Sequence, residues 1–183
     1  AVSDLSVPVG NREFVTSQFN DIFTTEPLSA DETRVRTIVS TLVTNQFVAF
    51  GGPCDRYDRA CPGFVPGLFG FDTHGVRANA SMIATPNVLR RGYIMRTCEE
   101  ILAIDAAVTN ALAAASLTAS SNRDTSNIGL LADVFMPGRP PSAQASAALL
   151  SVAEAGAANG FSALDQWRFV MLSLCEASFF EML

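Results

Sequence analysis

Residues 29–52 constrain the fold most strongly, because they carry both ends of a helix and its buried face. Ser29 followed by Glu32 is the capping-box pattern that begins a helix, while Gly51 and Gly52 are typical of a helix end. Between them apolar residues recur at the three-to-four spacing of one helix face, in the order Val35, Ile38, Val39, Leu42, Val43 and Phe47. We therefore predict one continuous helix that buries this stripe in a core.

The same period and similar start and stop signals predict further helices along the chain. They are expected over about 12–23, 86–117, 128–135 and 142–158, with a last helix beginning after Ser162. Within 86–117, Thr97 or Asp105 could cap a new helix, so a break is expected near one of them. The pattern thus predicts an all-α fold, a compact bundle of about six helices.

The domain organisation follows from length and local composition. A chain of 183 residues fits one domain, which can remove roughly 70% of its unfolded surface from water. We predict an extended N-terminal arm over 1–10 and a single helical domain over 11–183. Inside it, residues 51–85 form a long loop rich in Gly and Pro that also carries Phe64, Leu68, Phe69 and Phe71. Loops this long usually have a function or cover a core.

Composition excludes several classes of function. The chain contains no lysine, so P-loop, pyridoxal-phosphate and Schiff-base chemistry lack their required amine. A single histidine, His74, excludes three-histidine zinc sites. A net charge of −6 disfavours nucleic acid as a partner. Charged residues interrupt the apolar windows before the length of a membrane span is reached, so no transmembrane helix is expected.

The four cysteines point to an oxidising compartment. Three pairings are possible, and we favour Cys54 with Cys61 and Cys98 with Cys175. The first pair would clamp a Gly/Pro-rich loop, and the second would join two apolar helix faces. Buried thiols are the alternative for Cys98 and Cys175. The pairing favours a secreted or periplasmic protein, and Ala1 would then be either a mature N-terminus or the start of a shortened chain.

Metal and cofactor sites are not expected. Cys54, Cys61 and His74 could supply three zinc ligands, but the six-residue spacer between the cysteines is not a zinc-finger spacing. No cofactor motif occurs. Arg90, Arg91 and Arg96 are expected to pair with the surplus of acidic residues.

Two functions remain open. We favour a non-catalytic structural or protein-interaction subunit of a homo- or hetero-oligomer, whose interface comprises Phe64, Leu68, Phe69, Phe71, Phe179, Phe180, Met182 and Leu183. The alternative is a small hydrolase or ligand-binding protein with a site under the 51–85 loop. There Asp72 would orient His74 as a general base, and Arg77 would hold an anionic substrate. The structural interpretation of these residues, which we favour, is that Asp72 and Arg77 tie down the loop while His74 is partly exposed.

Overall fold

The computed structural model describes residues 12–50 and 88–178. Within these ranges the chain is helical and contains no strand, which confirms the all-α prediction. Helices α1 to α8 span Arg12–Phe23, Ala30–Val39, Phe47–Phe50, Val88–Leu102, Asp105–Ala114, Thr125–Phe135, Ala143–Ala158 and Ala163–Ser178. The described helices outnumber the predicted six because two of the predicted helices are each divided.

The first division lies after α2, where a continuous helix to residue 50 was predicted. The helix widens into a π-helical turn over Ser40–Thr44, in which the Asn45 N–H donates to the Ser40 carbonyl at 3.0 Å. The Thr37 and Thr41 hydroxyls donate to carbonyls four residues earlier, a contact that bends helices. Val35, Val39, Leu42 and Val43 of the apolar stripe are buried and Ile38 is half-buried, but the prediction of one uninterrupted helix was wrong.

The second division separates α4 from α5 and confirms the break expected near Asp105. Its cause is not a side-chain cap, because Ile104 occupies the cap position without a side-chain hydrogen bond. Instead Arg168 of α8 donates from Nε to the Leu102 carbonyl at 2.7 Å and pairs with the carboxylates of Asp105 and Asp165. A side chain from a distant helix therefore holds the junction between α4 and α5.

Helix starts follow the local signals closely. Ser29 forms the complete capping box with Glu32, and Ser142 accepts from the Ala145 N–H at 3.2 Å. Ser162 likewise accepts from the Asp165 N–H at 3.1 Å. Each cap satisfies a backbone donor that the first turn leaves without a partner. These three starts were predicted from the sequence.

The core takes aliphatic and aromatic side chains from all eight helices and from the π-helical turn. Its largest fully buried members include Trp167, Phe19, Phe23, Phe50 and Phe135. Phe23 meets Phe135 edge to face at a centroid distance of 5.8 Å, a favoured aromatic geometry. α7 packs mainly on α8, and at Gly156 an added Cβ would come within 3.3 Å of the Gln166 Cγ.

A disulfide bond joins Cys98 of α4 to Cys175 of α8. The two Cα atoms are 6.0 Å apart and both residues are fully buried. The predicted pairing of these cysteines is therefore confirmed. Cys54 and Cys61 lie outside the described residues, and their pairing stays a prediction.

Candidate functional site

Helices α1 and α2 run antiparallel, which defines two ends of the bundle. At one end Glu32 of α2 binds the backbone N–H of Thr25, just after α1. At the other, Thr16 of α1 lies 3.0 Å from Thr44, measured between their Oγ1 atoms. Arg12 lies four residues before Thr16 in α1, or about 6 Å further along the axis. The start of α1 therefore lies at the same end as the residues that follow Thr44.

The residues on either side of the undescribed segment 51–87 also meet at this end. Phe50, the last described residue before the segment, packs against α4 near its start. The Arg90 guanidinium carbon lies 5.0 Å from the Phe50 ring centroid, and the Tyr93 ring lies 6.5 Å from it. The segment 51–87 therefore leaves and re-enters the described fold at neighbouring positions.

Helix α8 ends in the same region. Arg168 contacts the Leu102 carbonyl near the end of α4, whereas Cys175, seven residues later, bonds Cys98, four residues earlier in α4. The two helices are therefore antiparallel, and α8 runs toward the start of α4. Segments 1–11, 51–87 and 179–183 all join the described fold at this end, which we call the loop-bearing end.

The loop-bearing end exposes apolar side chains on the first turn of α4. Val88 is 88% exposed and Leu89 is 58% exposed, the two highest values among the large hydrophobic residues described. The chemistry that this arrangement supports is apolar contact with another surface.

Arg90 is buried at the start of α4. We expected it to pair with acidic groups, which stays a prediction; the structure shows that Arg90 is only 1% exposed and that its guanidinium lies over the Phe50 ring. Burial lowers the pKa of Arg90 to about 10, which leaves it charged at neutral pH. A cation over an aromatic face is a favourable contact, and it anchors α3 to α4. Arg96, by contrast, forms the expected surface pair with Glu100 at 2.7 Å.

The opposite end of the bundle carries a buried carboxylate. Glu32 is 5% exposed and accepts hydrogen bonds from Thr25, from the Ser29 N–H at 2.6 Å and from the Asn110 amide at 3.0 Å. Asn110 also donates to the Phe23 carbonyl at 3.1 Å. The group therefore ties the α1–α2 turn to α5, and its oxygens are engaged in structure rather than presented to a substrate.

Hydrogen bonds set the charge state of this carboxylate. The Thr25 hydroxyl and then the Ser29 backbone lower the pKa of Glu32 from 4.5 to about 2. Because the folded pKa lies below the unfolded value, the ionised group stabilises the fold above about pH 4.5, and this contribution disappears as the pH falls toward 2. Glu32→Gln should therefore lower the melting temperature at pH 7 and flatten its dependence on pH between 5 and 2.

Thermal unfolding followed by circular dichroism across that pH range measures this effect. Asp31→Asn is the matched control, because Asp31 is adjacent but exposed. The control should keep the pH profile of the unsubstituted protein. Equal profiles for the Gln variant and the unsubstituted protein would contradict the assigned role of Glu32.

Most site residues proposed from the sequence lie outside the described ranges. This applies to Asp72, His74 and Arg77, and equally to the interface residues Phe64, Leu68, Phe69, Phe71, Phe179, Phe180, Met182 and Leu183. Their roles stay predictions. The described residues that flank the segments 51–87 and 179–183 lie at one end of the bundle, which the sequence alone did not indicate. Over residues 12–50 and 88–178, no three His, Cys, Asp or Glu side chains cluster as metal ligands would.

The search for membrane-spanning helices and the comparison with known proteins give no further indication of function. In the described ranges no helix combines the length and apolar character needed to cross a bilayer. The sequence matches no protein-family model, and comparison with curated proteins and with solved structures gives no significant match.

Proposed function

We propose that this protein is a structural or protein-interaction subunit of a larger assembly, secreted or located in the periplasm. The observation that carries the proposal is the loop-bearing end. It exposes Val88 and Leu89, and the segments 51–87 and 179–183, which contain the predicted interface residues, attach to the described helices there. Exposed apolar side chains at one end of a bundle are typical of a protein contact surface.

The disulfide supports the compartment. A bond between buried cysteines of α4 and α8 requires oxidation during folding, and structural disulfides of this kind are concentrated in exported proteins. The bond also holds the two helices that reach the loop-bearing end. The interface would therefore be presented on a covalently fixed pair of helices, which reduces the entropy lost on association.

The binding free energy would come from removal of apolar surface from water. Complete burial of a Val or Leu side chain contributes about 1.5–3 kcal/mol. Loss of both Val88 and Leu89 from an interface should therefore weaken association about 100-fold or more. The partner is a second copy of this chain or another subunit with an apolar surface.

Light scattering coupled to size-exclusion chromatography tests the proposal with purified protein at micromolar concentration. We expect the unsubstituted protein to associate. The dissociation constant of the double variant Val88→Ser, Leu89→Ser should be about 100-fold higher. Leu130→Ser is the matched control, since Leu130 is also 50% exposed but lies on α6. A monodisperse monomer for the unsubstituted protein would count against the proposal, as would equal weakening by the control.

A further inference from the structure

The connection between α7 and α8 carries the one Asn-Gly pair of the sequence, Asn159–Gly160. An asparagine followed by glycine can lose its side-chain amide when the next backbone nitrogen attacks it, because glycine has no Cβ to obstruct the approach. Both residues are exposed, so water and hydroxide reach them. The pair is therefore a candidate site of spontaneous chemical modification.

The reaction at this pair proceeds through a five-membered ring. The Gly160 N–H loses its proton to hydroxide, and the nitrogen attacks Cγ of Asn159. As the new N–Cγ bond forms, the bond from Cγ to Nδ2 breaks, and the side-chain nitrogen takes a proton from water and leaves as ammonia. Water then opens the cyclic imide at either carbonyl, which yields aspartate or, when the main chain runs through Cγ, isoaspartate.

The backbone of the folded protein holds the reacting atoms apart. Ring closure requires Cβ of Asn159 and the Gly160 nitrogen to lie on the same side of the bond between Cα and the carbonyl carbon. At a ψ of 7° the Gly160 nitrogen instead lies beside the Asn159 nitrogen, and Cβ is about a third of a turn away around that bond, as the tetrahedral Cα requires. The ring can therefore form only after this bond has rotated.

Backbone hydrogen bonds at the end of α7 oppose that rotation. The Gly160 N–H donates to the Ala157 carbonyl at 3.0 Å, and the Phe161 N–H donates to the Gly156 carbonyl at 3.1 Å. These are the two bonds of a Schellman motif, and Gly160 has the left-handed φ of +76° that the motif requires. The attacking nitrogen is therefore held on a carbonyl of the preceding helix.

Side chains fasten the same turn on both sides. The Asn159 amide donates from Nδ2 to the Ala155 carbonyl at 2.7 Å, so the leaving nitrogen is also engaged. The Phe161 ring meets the Phe169 ring edge to face at a centroid distance of 5.1 Å. Gln166, which is buried, donates from Nε2 to the Phe161 carbonyl at 2.9 Å. Rotation at Asn159 would disturb each of these contacts.

We propose that Asn159–Gly160 is a deamidation site that the turn between α7 and α8 keeps unreactive, and that the pair reacts when this turn opens. Opening breaks the two Schellman bonds and frees ψ of Asn159, while the rest of the bundle stays folded. The inference goes beyond the proposed function, because it concerns one turn and holds whether or not the protein associates.

The aspartate product weakens the end of α7. Its side chain has no donor for the Ala155 carbonyl, and its negative charge lies at the C-terminal end of the helix, where the dipole disfavours it. The variant Asn159→Asp should therefore lower the melting temperature by about 2–4 °C. The uncharged control Asn159→Ser should lower it less than half as much, and equal shifts would overturn this consequence.

The rate of conversion tests the protection directly. The full chain is incubated in mildly alkaline buffer, and peptide mapping by mass spectrometry measures the loss of Asn159 with time. Conversion should be at least about tenfold slower in the folded protein than in urea above the unfolding transition. Equal rates in the two conditions would overturn the proposal.

The variant Phe161→Ser tests whether the turn itself provides the protection. Loss of the contact with Phe169 should accelerate conversion in the folded protein about fivefold, while the rate in urea stays unchanged. Leu130→Ser is the matched control, because Leu130 is 50% exposed on α6, compared with 47% for Phe161, and it should leave both rates unchanged. Equal acceleration by the two variants, or none by Phe161→Ser, would overturn the inference.

Discussion

Replacement of Cys98 and Cys175 by alanine is expected to reduce the free energy of unfolding by about 4.5 kcal/mol. The bond closes a sequence separation of 77 residues, so its removal restores much of the conformational freedom of the unfolded chain. For a chain of this size the loss corresponds to a decrease in melting temperature of about 10 °C or more. Urea titration and calorimetry of both proteins under non-reducing conditions measure the two quantities.

The reductant provides the control for this result. Reduction should destabilise the unsubstituted protein by a similar amount, and should change the Cys98→Ala, Cys175→Ala variant far less. If Cys98 and Cys175 react with an alkylating reagent in the native protein before reduction, the bond is absent in solution and the expected loss disappears. That outcome would also remove the main support for an exported protein.

The second large effect is expected at Trp167, the largest fully buried side chain of the described core. Trp167→Ala should destabilise the protein by about 3–5 kcal/mol, because it removes an aromatic ring and leaves a cavity among well-packed helices. Trp167→Phe should cost less than half as much. The indole Nε1 has no hydrogen-bond acceptor within residues 12–50 and 88–178, so replacement of the indole by a phenyl ring removes no hydrogen bond there.

Denaturant unfolding of the two Trp167 variants measures these differences. Leu130→Ala serves as the control, since Leu130 is 50% exposed on α6, and its change should stay within about 0.5 kcal/mol. A cost below about 1 kcal/mol for Trp167→Ala would show that α8 does not pack as described.

The local signals in the sequence were sufficient for much of the helical structure. α1 has the predicted bounds, and the caps at Ser29, Ser142 and Ser162 lie where the sequence placed them. These features depend on residues within one turn of each other. The division of α4 from α5 depends on Arg168, 66 residues from Leu102, and no local pattern indicates such a contact.

The candidate site was less predictable for a related reason. The Cys98–Cys175 pairing could be inferred because each cysteine lies on the apolar face of a helix. The loop-bearing end could not, since it depends on the directions of α1, α2, α4 and α8 relative to one another. The burial of Arg90 was not predicted either, because it depends on a contact with the Phe50 ring, 40 positions earlier in the chain.

The bond between Cys98 and Cys175 also changes the covalent topology of the molecule. The backbone from 98 to 175 becomes a closed ring with a tail at each side, and α5, α6 and α7 lie entirely inside that ring. A single backbone cleavage in the partly exposed connection between α5 and α6, residues 115–124, therefore opens the ring without releasing a fragment. The molecule can be nicked there and still keep every helix attached.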